Sequence, residues 1–360
     1  MATIQADAIK DLITTTQREL GELKFTELVS DIQEHVAMSE LLKKNRVTFD
    51  SGTAIQWNLM MGHSQAAKEV GLFEVDSLDI QDQMVTANIP WRHVTVNYAI
   101  ERRELAMNRE PRRLVELIKI RRSDAMASMA ELMEGRFWGR PATSDDNKRV
   151  FGVNYWVVHN GSSGDGFTGK AATGFTSVAG LNPDTYSRWR NWSAQTTALA
   201  SDTNLNDTVL KWREAAVKTN FKPIPGVTNT PYGSANAMGY YTNYAVLAKL
   251  ETRLENQNDN LGNDIAAKDG KVVFRGVPVT YVPYLDKSAD NPIFGLNWGK
   301  FRPVFLSGEF MREMGPETAP NQHTTYVTHV DTTLNFLCYD RRRNFVLSSN
   351  ATAGSDLGLG

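Results

Sequence analysis

Apolar residues keep helical spacing from residue 9 to residue 32. Ile9, Leu12, Ile13, Leu20 and Leu23 follow it, and Phe25, Leu28, Val29 and Ile32 resume it after a break near Gly21. Two short amphipathic helices are predicted, with too few apolar residues for a core of their own, so this arm must lie on something else. From Val47 the period drops to two. Val47, Phe49, Ile55, Trp57, Leu59 and Met61 alternate with polar neighbours, as a half-buried strand does. Val94, Val96, Tyr98 and Ile100 form a second such run, with Trp91 following Pro90. Residues 62–88 between them are polar and read as a connection, long enough to suggest a functional or interacting role.

The strongest helical pattern covers residues 109–141. Pro111 suits its first turn, Gly139 and Pro141 end it, and Leu114, Ile118, Ala125, Met129, Leu132 and Met133 trace one face. At 1.5 Å per residue it would run about 40 Å. Its first half is basic, with Arg109, Arg112, Arg113, Lys119, Arg121 and Arg122 against Glu110 and Glu116. This is either a solvated face or a contact for another chain's acids. Val150–Val158 reads as a buried strand, and residues 159–177 as a glycine-rich loop. Helices are predicted over 205–220 and over 242–256, where Leu247, Leu250 and Leu254 share a stripe. Residues 272–286 predict a strand with a glycine bulge, placed at an edge by its prolines. Thr324 to Leu347 predicts two long strands, with Tyr326, Val330, Leu334, Phe336 and Cys338 on one face of the first. The tail, above all residues 351–360, is expected to fray. The fold class is α+β, without solenoid repeats.

Length and composition narrow the classes. Three hundred and sixty residues, 41% hydrophobic and 22% charged, suit two to three globular units rather than disorder. Lysine and arginine number 39 against 41 acids, a net charge of −2 that lacks the basic excess of a dedicated nucleic-acid binder. A single cysteine excludes a disulfide framework or a cysteine zinc cluster and fits a reducing compartment. Neither a signal peptide nor a membrane span is legible, so a soluble protein made inside the cell is expected.

The chemical motifs are weak. Gly164 to Lys170 has the spacing of a phosphate-binding loop, but Ala171 stands where magnesium needs Ser or Thr, and no helix pattern follows. His323 and His329 lie about 20 Å apart on a strand, and His329 with Asp331 is two ligands rather than a site. Cys338 between Leu337 and Tyr339 reads as a buried thiol, and Trp138, Trp156 and Trp212 as core. No catalytic constellation, cofactor site or metal site is read, so the expected protein is not an enzyme.

The order of elements carries more than any motif: short arm, long two-stranded loop, long helix, α+β unit, final strands. With AELMEGRFWGRP closing the long helix, GLNPDTYSRWRNW (Gly180 to Trp192), FRGVPVTYVPYLD (Phe274 to Asp286) and HVDTTLNFLCYDRRRNFVLSS (His329 to Ser349), the chain resembles the major capsid proteins of tailed double-stranded DNA bacteriophages. Encapsulins and herpesvirus capsid floors share that fold. The resemblance implies an N-terminal arm (1–45) and an extended β-hairpin loop (46–103). It also implies a peripheral domain built on the spine helix (104–180) and closing strands (311–350), an axial domain (181–310) and a flexible tail (351–360).

What the resemblance implies functionally is a structural protein. Copies would assemble as pentamers and hexamers into an icosahedral head that packages double-stranded DNA non-specifically, in the virion, after assembly in the host cytoplasm. An encapsulin-type compartment shell is the alternative. Scaffolding, if required, comes from a separate protein, with portal and decoration proteins as further partners; no membrane is involved. Some family members cross-link through a loop lysine, for which Lys68 is the one lysine between Lys44 and Lys119, without a matched asparagine or acid. The apolar ribbon needs covering, and Phe49, Trp57, Trp91 and Tyr98, with Arg112 and Arg113 on the helix, are the expected inter-subunit contacts.

Overall fold

A computed structural model describes residues 35–43, 47–62, 69, 71–72, 84–107, 111–161, 164–197, 202–221, 238–256, 272–320 and 322–359. The helices expected over 9–32, and Lys68, lie outside them.

The 17-residue strand β13 (Gln322–Cys338) organises the first sheet. Asp331 pairs with both Arg312 and Thr95, and Leu334 with both Phe305 and Arg92. Strands β12 (Arg312–Ala319) and β11 (Phe301–Leu306) therefore share one side of β13, and β4 (Arg92–Glu101) takes the other. Strand β1 (Thr48–Asp50) adds parallel to β11. Burial along β13 passes from one face to both: Tyr326, Thr328 and Val330 alternate with more open neighbours, whereas every residue from Thr332 to Cys338 is buried.

A second sheet runs β5 (Gly166–Gly169), β6 (Asn191–Gln195), β14 (Phe345–Ser348), β10 (Ile293–Asn297), β7 (Met238–Thr242), β9 (Val277–Tyr281), β8 (Val273–Phe274). Helices α5 (Asp202–Lys218) and α6 (Tyr244–Asn256) cover it through Leu205, Trp212, Val246 and Leu250. A separate hairpin pairs β2 (Ala54–Met60) with β3 (Met84–Pro90). The remaining helices are α1 (Val36–Leu41), α2 (Arg102–Met107), α3 (Pro111–Trp138) and α4 (Val153–Trp156).

Several expectations are corrected by these pairings. The ribbon is not built from the two runs that alternate most clearly: β2 pairs with Met84–Pro90, taken from the polar connection, while the Val94–Ile100 run joins β13. Val150–Val158 is buried but holds the short helix α4, since a buried helix and a buried strand look alike in a short apolar run. Gly152 opens that helix because a Cβ there would meet the carbonyl oxygens of Arg136, Phe137 and Gly139 at 2.3–2.4 Å. The glycine-rich loop contains β5. Residues 272–286 form a hairpin rather than a bulged strand, turning on Arg275 and Gly276 with φ of 51° and 80°; the short β8 takes the sheet edge, and the proline-bearing β9 lies between it and β7 rather than at the edge. The second closing strand, β14, has four residues and belongs to the seven-stranded sheet. Strands β4 and β11 belong to the β13 sheet, and β5 to the seven-stranded one.

The tail is anchored rather than frayed. His159 donates from Nε2 to the Asn350 carbonyl, and Gly354 N donates to the His159 carbonyl at 2.8 Å. Leu357 and Leu359 reach the main core. That core joins α1, the base of the β2–β3 hairpin, the second half of α3, α4 and one face of the β13 sheet. Phe137 lies at its centre, against Trp138, Trp298, Phe301 and Phe336.

Two buried charged side chains join distant segments. Glu134 on α3 accepts from Ala37 N, Met38 N and the Trp138 indole at 3.1, 2.8 and 2.8 Å. It thereby caps the first turn of α1 from a different helix. Burial pushes its carboxyl above the usual carboxylate range, against the pull of its three N–H donors. Where the folded pKa is raised, the folded state holds a proton that the unfolded state has released, so this contribution to stability falls as pH rises above the unfolded value. The native chain should therefore lose stability relative to Glu134→Gln as pH rises from about 4.5. Denaturant titrations of both proteins across pH check it; the opposite slope would contradict the burial of this carboxyl. Arg341 is the second such group. It donates to the carbonyls of Trp156, Trp189 and Lys170 at 2.6–2.7 Å, and to Gly169 O and Asn191 Oδ1 at 3.3 and 3.2 Å.

Candidate assembly surface

The hairpin β2–β3 carries the clearest candidate surface. Its paired positions are Ile55 with Ile89, Trp57 with Ala87, Leu59 with Val85 and Met60 with Met84. Burial fades along that order: the first two pairs are buried, the third is half-buried, and Met60 and Met84 are 57% and 54% exposed. Ile55, Trp57 and Leu59 with their partners thus form the face laid on the body, whereas Met60 and Met84, one step further, belong to the opposite face with Asn58 and Thr86. At the base, Trp57 meets the rings of Trp156 and Tyr339 at 6.3 and 6.1 Å. Asn88 N donates to the Ala179 carbonyl at 3.1 Å.

The residues expected at inter-subunit contacts lie in different settings within the chain. Trp57 is buried within its own chain, and so is Tyr98, which packs with Ala125, Met126 and Val330 under α3. The premise that nothing adjacent covers them does not hold. Trp91 is half-buried, its indole donating to the Gly52 carbonyl at 2.9 Å. Phe49 is exposed beside Phe305 and Phe310. Arg112 and Arg113 belong to α3, and their side chains lie outside the described residues. Further along the helix, Arg121 pairs with Glu104 at 2.7 Å and Arg122 with Glu313. These two basic groups find their acids in their own chain. Leu132, expected on the core face, is exposed, while Met126, Ala130 and Phe137 take the buried positions.

Met84 was missed because the polar stretch before it hides the strand. The signal was present: Val85, Ala87 and Ile89 alternate with Thr86 and Asn88.

Chemistry is sparse elsewhere. Lys170, at the end of the glycine-rich stretch, pairs with Asp184 at 2.7 Å, and the stretch opens no helix. Among the described residues no three His, Cys, Asp or Glu side chains converge as metal ligands. Cys338 is fully buried, and burial pushes its thiol far up. Native protein should therefore resist a thiol reagent on the time scale in which unfolded protein reacts fully; rapid native labelling would place β13 in the wrong register.

No family model matches the sequence, and neither does any curated protein. Solved structures do. The chain is similar to the Cyanophage A-1(L) capsid asymmetric unit, with a TM-score of 0.56 and 15% identity over 89% of this chain and 93% of that one. It is also similar to the bacteriophage PhiM1 mature capsid, with a TM-score of 0.51 and 10% identity over 85% and 86%. At such identities the likeness is one of fold: this α+β chain has the tailed-phage capsid fold.

Proposed function

We propose that this chain is a major capsid protein, many copies of which assemble as pentamers and hexamers into the icosahedral head of a tailed double-stranded DNA phage. The observation that carries this reading is the capsid fold running through nearly the whole chain. The hairpin adds local support, because Met60 and Met84 form an exposed apolar pair on the face opposite Trp57, suited to a neighbouring copy. Phe49 and Trp91 lie on the same half of the chain as secondary contacts. The role is structural rather than enzymatic. The near-neutral charge suits a wall that holds DNA loosely, since each neutralised phosphate adds salt-dependent affinity and would resist packing and release. Scaffolding, portal and decoration proteins are the expected further partners, in an assembly that begins in the host cytoplasm.

The double substitution Met60→Asp, Met84→Asp tests the surface. Both positions are exposed, so circular dichroism should be unchanged. Sedimentation should show particle yield reduced at least about tenfold, two charges being buried at a contact without partners. Normal yield of closed shells would remove the hairpin from the assembly contacts. Particles that carry protein cargo instead of nucleic acid would favour the encapsulin-type alternative.

A further inference from the structure

Among the described residues, helix α5 has one face exposed. Asn206, Leu210, Arg213 and Val217 fall on a single stripe at helical spacing, with Leu210 61% and Val217 54% exposed. Across from it the β8–β9 hairpin presents Val273, 58% exposed, then Arg275 and Val277. Two cavities lie along this face. One, of about 490 Å³, is lined by Leu210, Arg213, Leu250, Arg253 and Val273 among others. The second, of about 390 Å³, is lined by Val217, Met238 and Val277 among others, and Arg275 borders both. Together they make an apolar groove edged by three arginines. Among the described residues none of the three has an ion pair: Arg253 donates to Asn206 Oδ1, its Nη1 is buried without an acceptor, and Arg213 and Arg275 are exposed. Glu214 and Asp207 flank the stripe on one side, and Asp207 pairs with Lys211 at 3.2 Å.

Such a groove fits an amphipathic segment that is apolar on one side and acidic on its flanks. This chain contains one. Residues 1–34 precede the first described residue, His35, and hold seven acids, Asp7, Asp11, Glu19, Glu22, Glu27, Asp31 and Glu34, against Lys10, Arg18 and Lys24, a side-chain charge of −4. Their apolar positions repeat at helical spacing, and acids border them, as Asp11 borders Ile9, Leu12 and Ile13. We propose that the N-terminal arm, residues 1–34, docks in the α5 groove, with its apolar stripe on Leu210, Val217 and Val273 and its acids toward Arg213, Arg253 and Arg275. The arm cannot build a core alone, and the groove is an apolar face that no described residue covers; each supplies what the other lacks. Exposed ion pairs contribute little singly, so the apolar contact sets affinity and the charges set orientation.

The test uses the full chain in the form in which it is purified. Leu210→benzoylphenylalanine places a photo-crosslinker on the exposed stripe, and Tyr244→benzoylphenylalanine, exposed on α6, serves as a control position. Irradiation followed by peptide mass spectrometry should give crosslinks from position 210 to residues 1–34, and at least about fivefold fewer from position 244. Adding Arg213→Glu and Arg275→Glu should reduce the position-210 crosslinks by a similar factor, and further adding Asp7→Lys and Asp11→Lys should restore them. Hydrogen exchange gives an independent reading, in which amides of residues 1–34 lose protection in the Arg213→Glu, Arg275→Glu chain. Crosslinks from position 210 solely to other segments, or an arm whose exchange ignores both arginines, would overturn the proposal. Neither reading depends on shell formation, so this inference and the proposed function can fail separately.

Discussion

Arg341→Met is expected to destabilise the chain by about 3–5 kcal/mol and to sharply lower the yield of soluble protein. The guanidinium has no solvent exposure and, among the described residues, no carboxylate partner. It is held by four backbone carbonyls and Asn191 Oδ1, drawn from α4, from the end of β5 and Lys170 after it, from Trp189 and from the start of β6. Burial lowers its pKa to about 10, so it stays charged at neutral pH. A methionine fills similar volume but leaves those acceptors unpaired, and hydrogen bonds to a charged donor contribute about 1.5–3 kcal/mol each, though not additively. The loss is a large fraction of the 5–15 kcal/mol by which folded proteins are typically stable, taken as an order of magnitude. Its neighbour is the control. Arg342 lies between the rings of Phe167 and Phe221, at 4.5 and 4.7 Å from their centroids, and Arg342→Met should cost only about 1 kcal/mol. Denaturant unfolding of the two variants compares them; equal losses would mean that the carbonyl cluster does not stabilise the fold.

Trp57→Ala should cost about 3–5 kcal/mol as a large-to-small change in the main core. Its effect should appear in the unassembled chain, because Trp57 packs on Trp156 and Tyr339 of the same subunit. Trp57→Asp should be worse, since it adds an unpaired charge to that site. Hydrogen exchange of residues 54–60 and 84–90 should accelerate first, as the hairpin base comes away from the body. A Trp57→Asp chain with native unfolding behaviour that failed only in assembly would contradict the intrachain packing.

Long periodic elements were legible in the sequence, and long-range partnerships were not. The α3 boundaries follow from Pro111 and Gly139, and the alternation of β13 follows from Tyr326, Val330 and Leu334, because these signals are local. Leu132 shows the limit even there: helical spacing proposes a face, and what packs on the neighbouring turn decides its edge. Residues 153–156 and 84–90 were misread for opposite reasons, one apolar on all sides and the other screened by a polar approach. Glu134 looked like an ordinary acid on a charged helix, yet it accepts from backbone 97 and 96 residues earlier. Arg341 looked like part of a basic turn, and its acceptors lie 150 or more residues away. For the candidate surface, Trp57 and Tyr98 are taken up by their own chain's core, whereas Phe49 stays exposed and Trp91 half-buried. Met60 and Met84, on the opposite face of the hairpin from Trp57, stay exposed.

The central claim is that copies of this chain close into an icosahedral shell, and electron microscopy of the expressed protein, with its scaffolding partner where one is needed, tests it most directly. The account predicts closed particles whose reconstruction shows fivefold and sixfold clusters of this fold, with the β2–β3 hairpin of one subunit lying on its neighbour. A uniform 40 kDa species that never assembles, alone or with phage partners, would contradict it.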